Sequence, residues 1–168
     1  GIDEVSTTFK LTINAVNDPP TISAVEPIEI NEDQTVSFTV TLTDIDTAPE
    51  ELKITGNAAN AALLPSDNIT STGEGLTRTV TLTPGANMGG RTKVTLSVND
   101  GDNTVSTETE LTVIPVVDIP VALPQELTTK YGKHLPLTLA GTDPDSLGLS
   151  FHLVEMPKNG SLIGTART

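Results

Sequence analysis

The sequence predicts an all-β chain, a seven-strand Greek-key β-sandwich repeated in tandem. Three observations support that reading. Apolar and polar residues alternate with period two in short segments, each closed by Gly, Pro, Asn or Asp. No segment sustains an amphipathic helical period. And Val16-Asn17-Asp18-Pro19-Pro20 returns 100 residues later as Val116-Val117-Asp118-Ile119-Pro120. The offset holds without gaps over the preceding stretch: Val5, Ser6, Thr7, Leu11 and Thr12 recur as Val105, Ser106, Thr107, Leu111 and Thr112. A period of that length marks an array of domains rather than one globule.

Each element follows from its own residues. Residues 4–13 alternate Val5, Thr7, Phe9, Leu11 and Ile13 against Ser6, Thr8, Lys10 and Thr12, the pattern of a half-buried strand. Residues 22–25 and 28–30 form a short strand broken by Pro27, which has no N–H to give to a central ladder. Residues 35–43 put Val36, Phe38, Val40 and Leu42 on one side and hydroxyl residues on the other. Residues 52–55 continue the pattern and end in an expected turn at Gly56-Asn57. Residues 58–64 are alanine-rich but confined by Asn57 and Pro65, so a single helical turn or an irregular crossover between sheets is expected. Strands follow at 76–83, 93–98 and 104–114. In the third segment, 135–139 and 149–153 alternate, residues 141–145 turn, and Asn159-Gly160 is a hairpin signal leading into 161–163. The domain reading is therefore 1–17 as the last strand of a preceding repeat, 18–117 as a complete repeat, and 118–168 as the first half of a following one. Half a sandwich cannot bury its inner face alone, so the third segment lacks the strands that would cover it.

Composition narrows the function classes. A net charge of −13 over 168 residues repels nucleic acid and anionic membrane surfaces and favours a cation as partner. There is no cysteine to staple the fold. No apolar run is long enough to cross a bilayer. Aromatic residues are only 2% with no Trp, so the core must be built from Val, Leu and Ile.

The acidic turns fall in a pattern. Asp44-Ile45-Asp46 follows the 35–43 strand, and Asn99-Asp100-Gly101-Asp102 joins the last two strands. In a sandwich both loops lie at the end where the chain enters the domain, beside Asn17 and Asp18. Asp18, Asp44, Asp46 and Asp100 should converge there, and carboxylates in one small volume repel one another unless a cation sits among them. Oxygen-only donors without His or Cys select Ca²⁺ over Zn²⁺. The alternative stays open that these are turn sequences only, because Asp caps turns and tolerates left-handed backbone. Asp102 reads as a turn residue that could replace Asp100. His134 and His152 neighbour no nucleophile or second ligand and read as surface residues. The acceptor patterns at Asn68-Ile69-Thr70 and Asn159-Gly160-Ser161 read as chance matches.

Taken together, Asn17-Asp18-Pro19-Pro20, Glu32-Asp33, Asp44-Ile45-Asp46 and Asn99-Asp100-Gly101 resemble the motifs of cadherin-like repeats. The chain is more similar still to the bacterial cadherin-like and Ig-like repeats of large secreted or cell-surface adhesins. Gly85-Ala86-Asn87-Met88-Gly89-Gly90 and Gly141-Thr142-Asp143-Pro144-Asp145 are similar to phrases common in those arrays. The resemblance implies Ca²⁺ between domains, extracellular placement, and neighbouring repeats of the same chain as partners. It implies a first junction built from Asn17, Asp18, Asp44, Asp46 and Asp100, and a second from Glu32, Asp118, Asp143 and Asp145. Val117 stands where the first junction has Asn17, which makes the second the poorer metal candidate.

The leading expectation is a structural and adhesive spacer without enzymatic activity. Other readings are a module that binds a cell-surface protein or glycan, and a filament subunit that assembles by strand exchange. The lack of aromatic platforms weighs against a carbohydrate site. Asp44 with Asp46, or Asp143 with Asp145, could be drawn as an acid pair, but exposed turn positions would not raise a carboxyl pKa as a general acid requires.

Overall fold

Two inner faces of alternating Val and Leu decide the architecture. The computed structural model describes residues 1–145 and 148–163. The chain divides into two units, Gly1–Ile114 and Pro115–Thr168, and each is described by itself. The first holds β1 (Thr21–Ile22), β2 (Ile28–Asn31), β3 (Val36–Thr43), β4 (Lys53–Ala58), β5 (Ile69–Thr72), β6 (Thr77–Leu82), β7 (Gly90–Asn99) and β8 (Thr104–Ile114). They form two four-stranded sheets, ordered β1-β3-β6-β5 and β2-β8-β7-β4. All pairings are antiparallel except β2 with β8, which is parallel. The chain crosses from sheet to sheet at each step between β1 and β5 and again between β6 and β7, while β5–β6 and β7–β8 are paired neighbours within a sheet, so the all-β sandwich class expected from the sequence is the one observed.

Pro27 explains the split of the first strand. The chain pairs with β3 through β1, leaves that sheet over residues 23–27, and joins the other sheet as β2. The Thr109 hydroxyl donates to the Glu26 carbonyl at 2.9 Å and pins the crossing to β8. β1 and β2 are thus one strand shared between two sheets, and counting them once gives seven. The sequence count reached seven differently, by counting both pieces and missing β5. Ile69, Thr70 and Thr72 are β-branched, but four residues between Asn68 and Gly73 are too few to establish a period.

The core is aliphatic, as the composition requires. Val40, Leu42, Val80, Leu82, Val94, Leu96, Val98, Leu111 and Val113 are buried between the sheets, with Phe38 and Val36 packed at the margin. Each fully buried side chain of this size contributes roughly 1.5–3 kcal/mol. The crossing from β4 to β5 carries a hydrogen-bonded turn inside residues 58–64 and then a 3-10 turn at Ser66–Asn68, beyond the Pro65 at which a helical turn was expected to end. The Leu64 amide bonds the Asn60 carbonyl at 3.0 Å, and Leu63 and Leu64 plug the core. Asn60 Oδ1 caps the turn by accepting from the Ala62 and Leu63 amides.

Gly56-Asn57 is not a turn. Both residues lie inside β4, where a Cβ on Gly56 would stand 2.2 Å from Ile69 Cγ2. The glycine is there because the β5 side chain crosses over it, not because the chain reverses.

Residues 4–13 join no ladder in the described structure, and Val5, Phe9, Leu11 and Ile13 are exposed. Alternation makes a segment able to be a strand, but only a neighbour makes it one, and none of the ten strands pairs with it. In the second unit, β9 (Val121–Ala122) pairs antiparallel with β10 (Gly141–Thr142). Residues 135–139, 149–153 and 161–163 form no strand, and Leu135, Leu137, Leu139 and Leu153 are exposed. Gly160 adopts φ 100°, but without flanking strands it closes no hairpin. Residues 146–147 and 164–168 of the expected half repeat lie outside the described residues.

Candidate metal centre

Three short segments meet at one pole of the first unit: residues 17–18 ahead of β1, residues 44–47 after β3, and residues 99–103 between β7 and β8. Pro20 is fully buried, which fixes where the linker runs. Its neighbours are then held by two hydrogen bonds. The Asp18 amide donates to Asp46 Oδ2 at 2.8 Å, and Asn17 Nδ2 donates to Asp100 Oδ2 at 2.8 Å. The linker is clamped between the two acidic loops.

Each loop is shaped by its own carboxylate. Asp44 Oδ1 accepts from the Asp46 and Thr47 amides at 2.8 and 2.7 Å. Asp100 Oδ1 accepts from the Asp102 and Asn103 amides at 2.8 and 2.6 Å. These are Asx turns, in which a side-chain oxygen takes the place of a backbone carbonyl. Four hydrogen-bond donors face Asp100, led by the Asn103 amide and followed by Asn17. They hold its carboxyl at a pKa of about 2 against the ordinary 3.8.

One atom of the set is left over. Among the described residues, Asp44 Oδ2 is buried and meets no hydrogen-bond donor. A buried carboxylate oxygen without a donor is uncommon, because desolvation is costly, and a cation or water is the usual explanation. Asn17, Asp18, Asp44, Asp46 and Asp100 are thus brought to one pole, as the loop arithmetic expected. They form a hydrogen-bonded clamp rather than a tight carboxylate cage. Among the described residues of the first unit, no three acidic or histidine side chains place one ligand atom each within 4.8 Å of one another. Asp102 contributes its amide to the Asp100 turn, as its reading as a turn residue expected.

Glu32 lies elsewhere, at the far end of β8, where its amide donates to the Ile114 carbonyl at 2.9 Å. Asp118, Asp143 and Asp145 belong to the second unit and reproduce the first pattern. The Asp118 amide donates to Asp145 Oδ2 at 2.7 Å, and the Asp145 amide to Asp143 Oδ1 at 2.9 Å. The strand pairs behind them also correspond. Thr21 faces Thr43 just before Asp44, and Val121 faces Thr142 just before Asp143. The Ser23 amide bonds Thr41 at 2.9 Å, and the Leu123 amide bonds Ala140 at 2.9 Å.

Sequence reasoning missed one member of this neighbourhood. Arg78 is buried, and its guanidinium donates to the Pro49 carbonyl, in the loop that begins at Asp44, at 2.6 Å. The signal was present in β6, where Arg78 occupies the inward phase shared with Val80 and Leu82.

A family profile described as the bacterial Ig domain matches residues 17–113. No curated protein matches the chain. Among solved structures the chain is similar to titin domain M7, at TM-score 0.45 and 12% identity over 60% of this chain and 98% of that one. It is also similar to the titin M1 domain, at TM-score 0.43 and 14% identity over 57% and 95% of the two chains. A trigonal form of titin M4 gives TM-score 0.43 and 14% identity over 59% and 99%.

Proposed function

The chain belongs to the bacterial Ig domain family, and from that premise we propose that it is a spacer repeat of an extracellular, surface-displayed adhesive array stiffened by Ca²⁺ at its junctions. Members of the family are typically non-enzymatic structural or binding modules of extracellular or surface proteins. The observation that carries the tandem reading is the repeated clamp. In each unit the amide of the linker aspartate, Asp18 or Asp118, is bonded by the second carboxylate of an Asp-x-Asp turn. A domain that grips the chain entering it fixes the angle of that chain, which is what a spacer requires. The partners proposed are therefore the neighbouring repeats, with a cell-surface protein or glycan contacted by the array as a whole.

The calcium part rests on Asp44 Oδ2, a buried oxygen without a donor in an oxygen-only neighbourhood. Asp18, Asp44, Asp46 and Asp100, with Asn17, would hold the ion at the first junction. Asp118, Asp143 and Asp145, with Glu32, are the proposed ligands of the second. The bound ion would supply charge neutralisation and a cross-link between loops. The chain's own contribution is the clamp, which preorganises the linker before any ion adds to it.

Calorimetric titration with CaCl₂ tests the reading, with backbone relaxation measured over residues 14–18. A dissociation constant of roughly 0.1–1 mM, usual for extracellular modules, is expected. It should come with higher order parameters at Asn17 and Asp18 on addition of metal. Asp46→Ala should lose both effects and stay folded. No binding heat, together with unchanged relaxation at the linker, would reduce these aspartates to turn residues.

A further inference from the structure

We propose that Arg78 is the positioning residue of the Asp44–Asp46 loop, acting through its hydrogen bonds to two backbone carbonyls. The proposal rests on the calcium reading for its functional consequence, but its geometry stands apart from it. Arg78 is 6% exposed and sits opposite Val40 on the inward phase of β6, a position the sandwich otherwise fills with Val and Leu. Among the described residues no carboxylate lies within salt-bridge distance of it. A buried cation without a counter-ion is costly, so what it does bond must matter to the site. It bonds the Gly75 carbonyl in the turn before β6 and the Pro49 carbonyl at 2.6 Å, 29 residues back in sequence. The planar fork of guanidinium suits two acceptors at fixed separation, which a lysine ammonium does not match.

The loop between β3 and β4 is thereby held at both ends. Asp44 Oδ1 ties its first turn, and Arg78 ties Pro49 at its return. Between them lies Asp46, whose carboxylate receives the Asp18 amide. If Pro49 is released, the loop loses its tie at the return, so its Asx turn opens more readily and the orientation that aims Asp46 at the linker is lost. The side-chain hydrogen bonds of Arg78 among the described residues go to the Gly75 and Pro49 carbonyls, not to the linker or a proposed ligand. Its effect is indirect, like that of the outer-shell groups that orient metal ligands.

Arg78→Met separates this role from simple packing, because methionine fills the same inward position without donors. Residue-level hydrogen exchange on the variant should show faster exchange at the Asp18, Asp46 and Thr47 amides. Val94 and Leu96 should stay as protected as in the wild type. Calcium affinity should fall by about 10–100-fold, the usual effect of losing an outer-shell partner. Unchanged exchange at those three amides would overturn the proposal, as would an equal rise at Val94 and Leu96. If the wild type binds no calcium, the calcium reading fails alone, and the exchange result still decides the role of Arg78. If Arg78→Met does not fold, wild-type exchange in low denaturant decides instead. The Arg78 guanidinium protons should then open together with the Asp46 and Thr47 amides, and opening with the core amides would overturn the proposal.

Discussion

Asp44→Asn should change the sign of its effect with calcium. The substitution keeps the shape of the side chain and leaves an oxygen to accept from the Asp46 and Thr47 amides, so the turn survives. What it removes is the charge on a carboxylate whose Oδ2 is buried without a donor. In chelator, the wild type bears an unsatisfied buried acceptor, a feature that costs about 1–3 kcal/mol in fully buried settings. Asp44 as a residue is only half-buried, so the low end applies. The Asn variant should then match the wild type or exceed it by up to about 1 kcal/mol. With calcium near 10 mM and dissociation constants of roughly 0.1–1 mM, linkage stabilises the wild type by about 1.4–2.7 kcal/mol. The variant should lose most of that. For a domain of this size, about 4–8 °C in Tm accompanies each kcal/mol. The wild type should therefore gain roughly 6–20 °C on adding calcium and the variant only a few degrees. Thermal unfolding followed by circular dichroism, in chelator and in calcium, provides the four values needed. Destabilisation by the same amount in both conditions would mean that Asp44 acts only as a turn cap, and the argument from its buried oxygen would fail.

Other expectations concern the parts of the fold that set this site. Gly56→Ala should destabilise by about 1–3 kcal/mol through overpacking, because the new Cβ meets Ile69 Cγ2 at 2.2 Å. Ile69→Ala in the same chain should recover part of the loss, and additive losses in a double-mutant cycle would show that the two side chains do not meet. Asp100, held at a pKa of about 2, contributes stability that is fully present above its ordinary value near 3.8 and is lost as pH falls toward 2. Asn17 side-chain and Asn103 backbone amide resonances should shift with a midpoint near 2, and a midpoint at or above 3.8 would contradict the donor count around this carboxylate. The exposed cross-strand pair of Lys93 with Glu108, at 2.9 Å, should show a coupling energy of no more than about 1 kcal/mol. A larger value, persisting in high salt, would mean the pair is shielded from solvent.

What the sequence could show depended on whether the responsible force was local. The period-two pattern of Val36, Phe38, Val40 and Leu42 is a local record of a buried face, and the structure buries that face. The clamp was legible for a related reason: Asp-x-Asp and Asn-Asp-Gly-Asp are turn sequences, and Greek-key connectivity places both loops beside the linker. What could not be read was set by a distant partner. Gly56 resembled a turn residue because Ile69, 13 positions away, supplies the reason for a missing side chain. Residues 4–13 alternate as well as β3 does, yet pairing rather than alternation makes a strand, and the pairing is absent from the described structure. Arg78 is the instructive case, because its signal was local and still went unread. In Thr77-Arg78-Thr79-Val80-Thr81-Leu82 the inward phase begins with a charge, a break in an otherwise regular pattern. Such breaks are retained where a polar group holds something the core cannot. Here the group reaches out of the apolar core to Pro49, in the loop that carries Asp44 and Asp46, so the departure from the pattern is tied to the pole proposed to hold calcium.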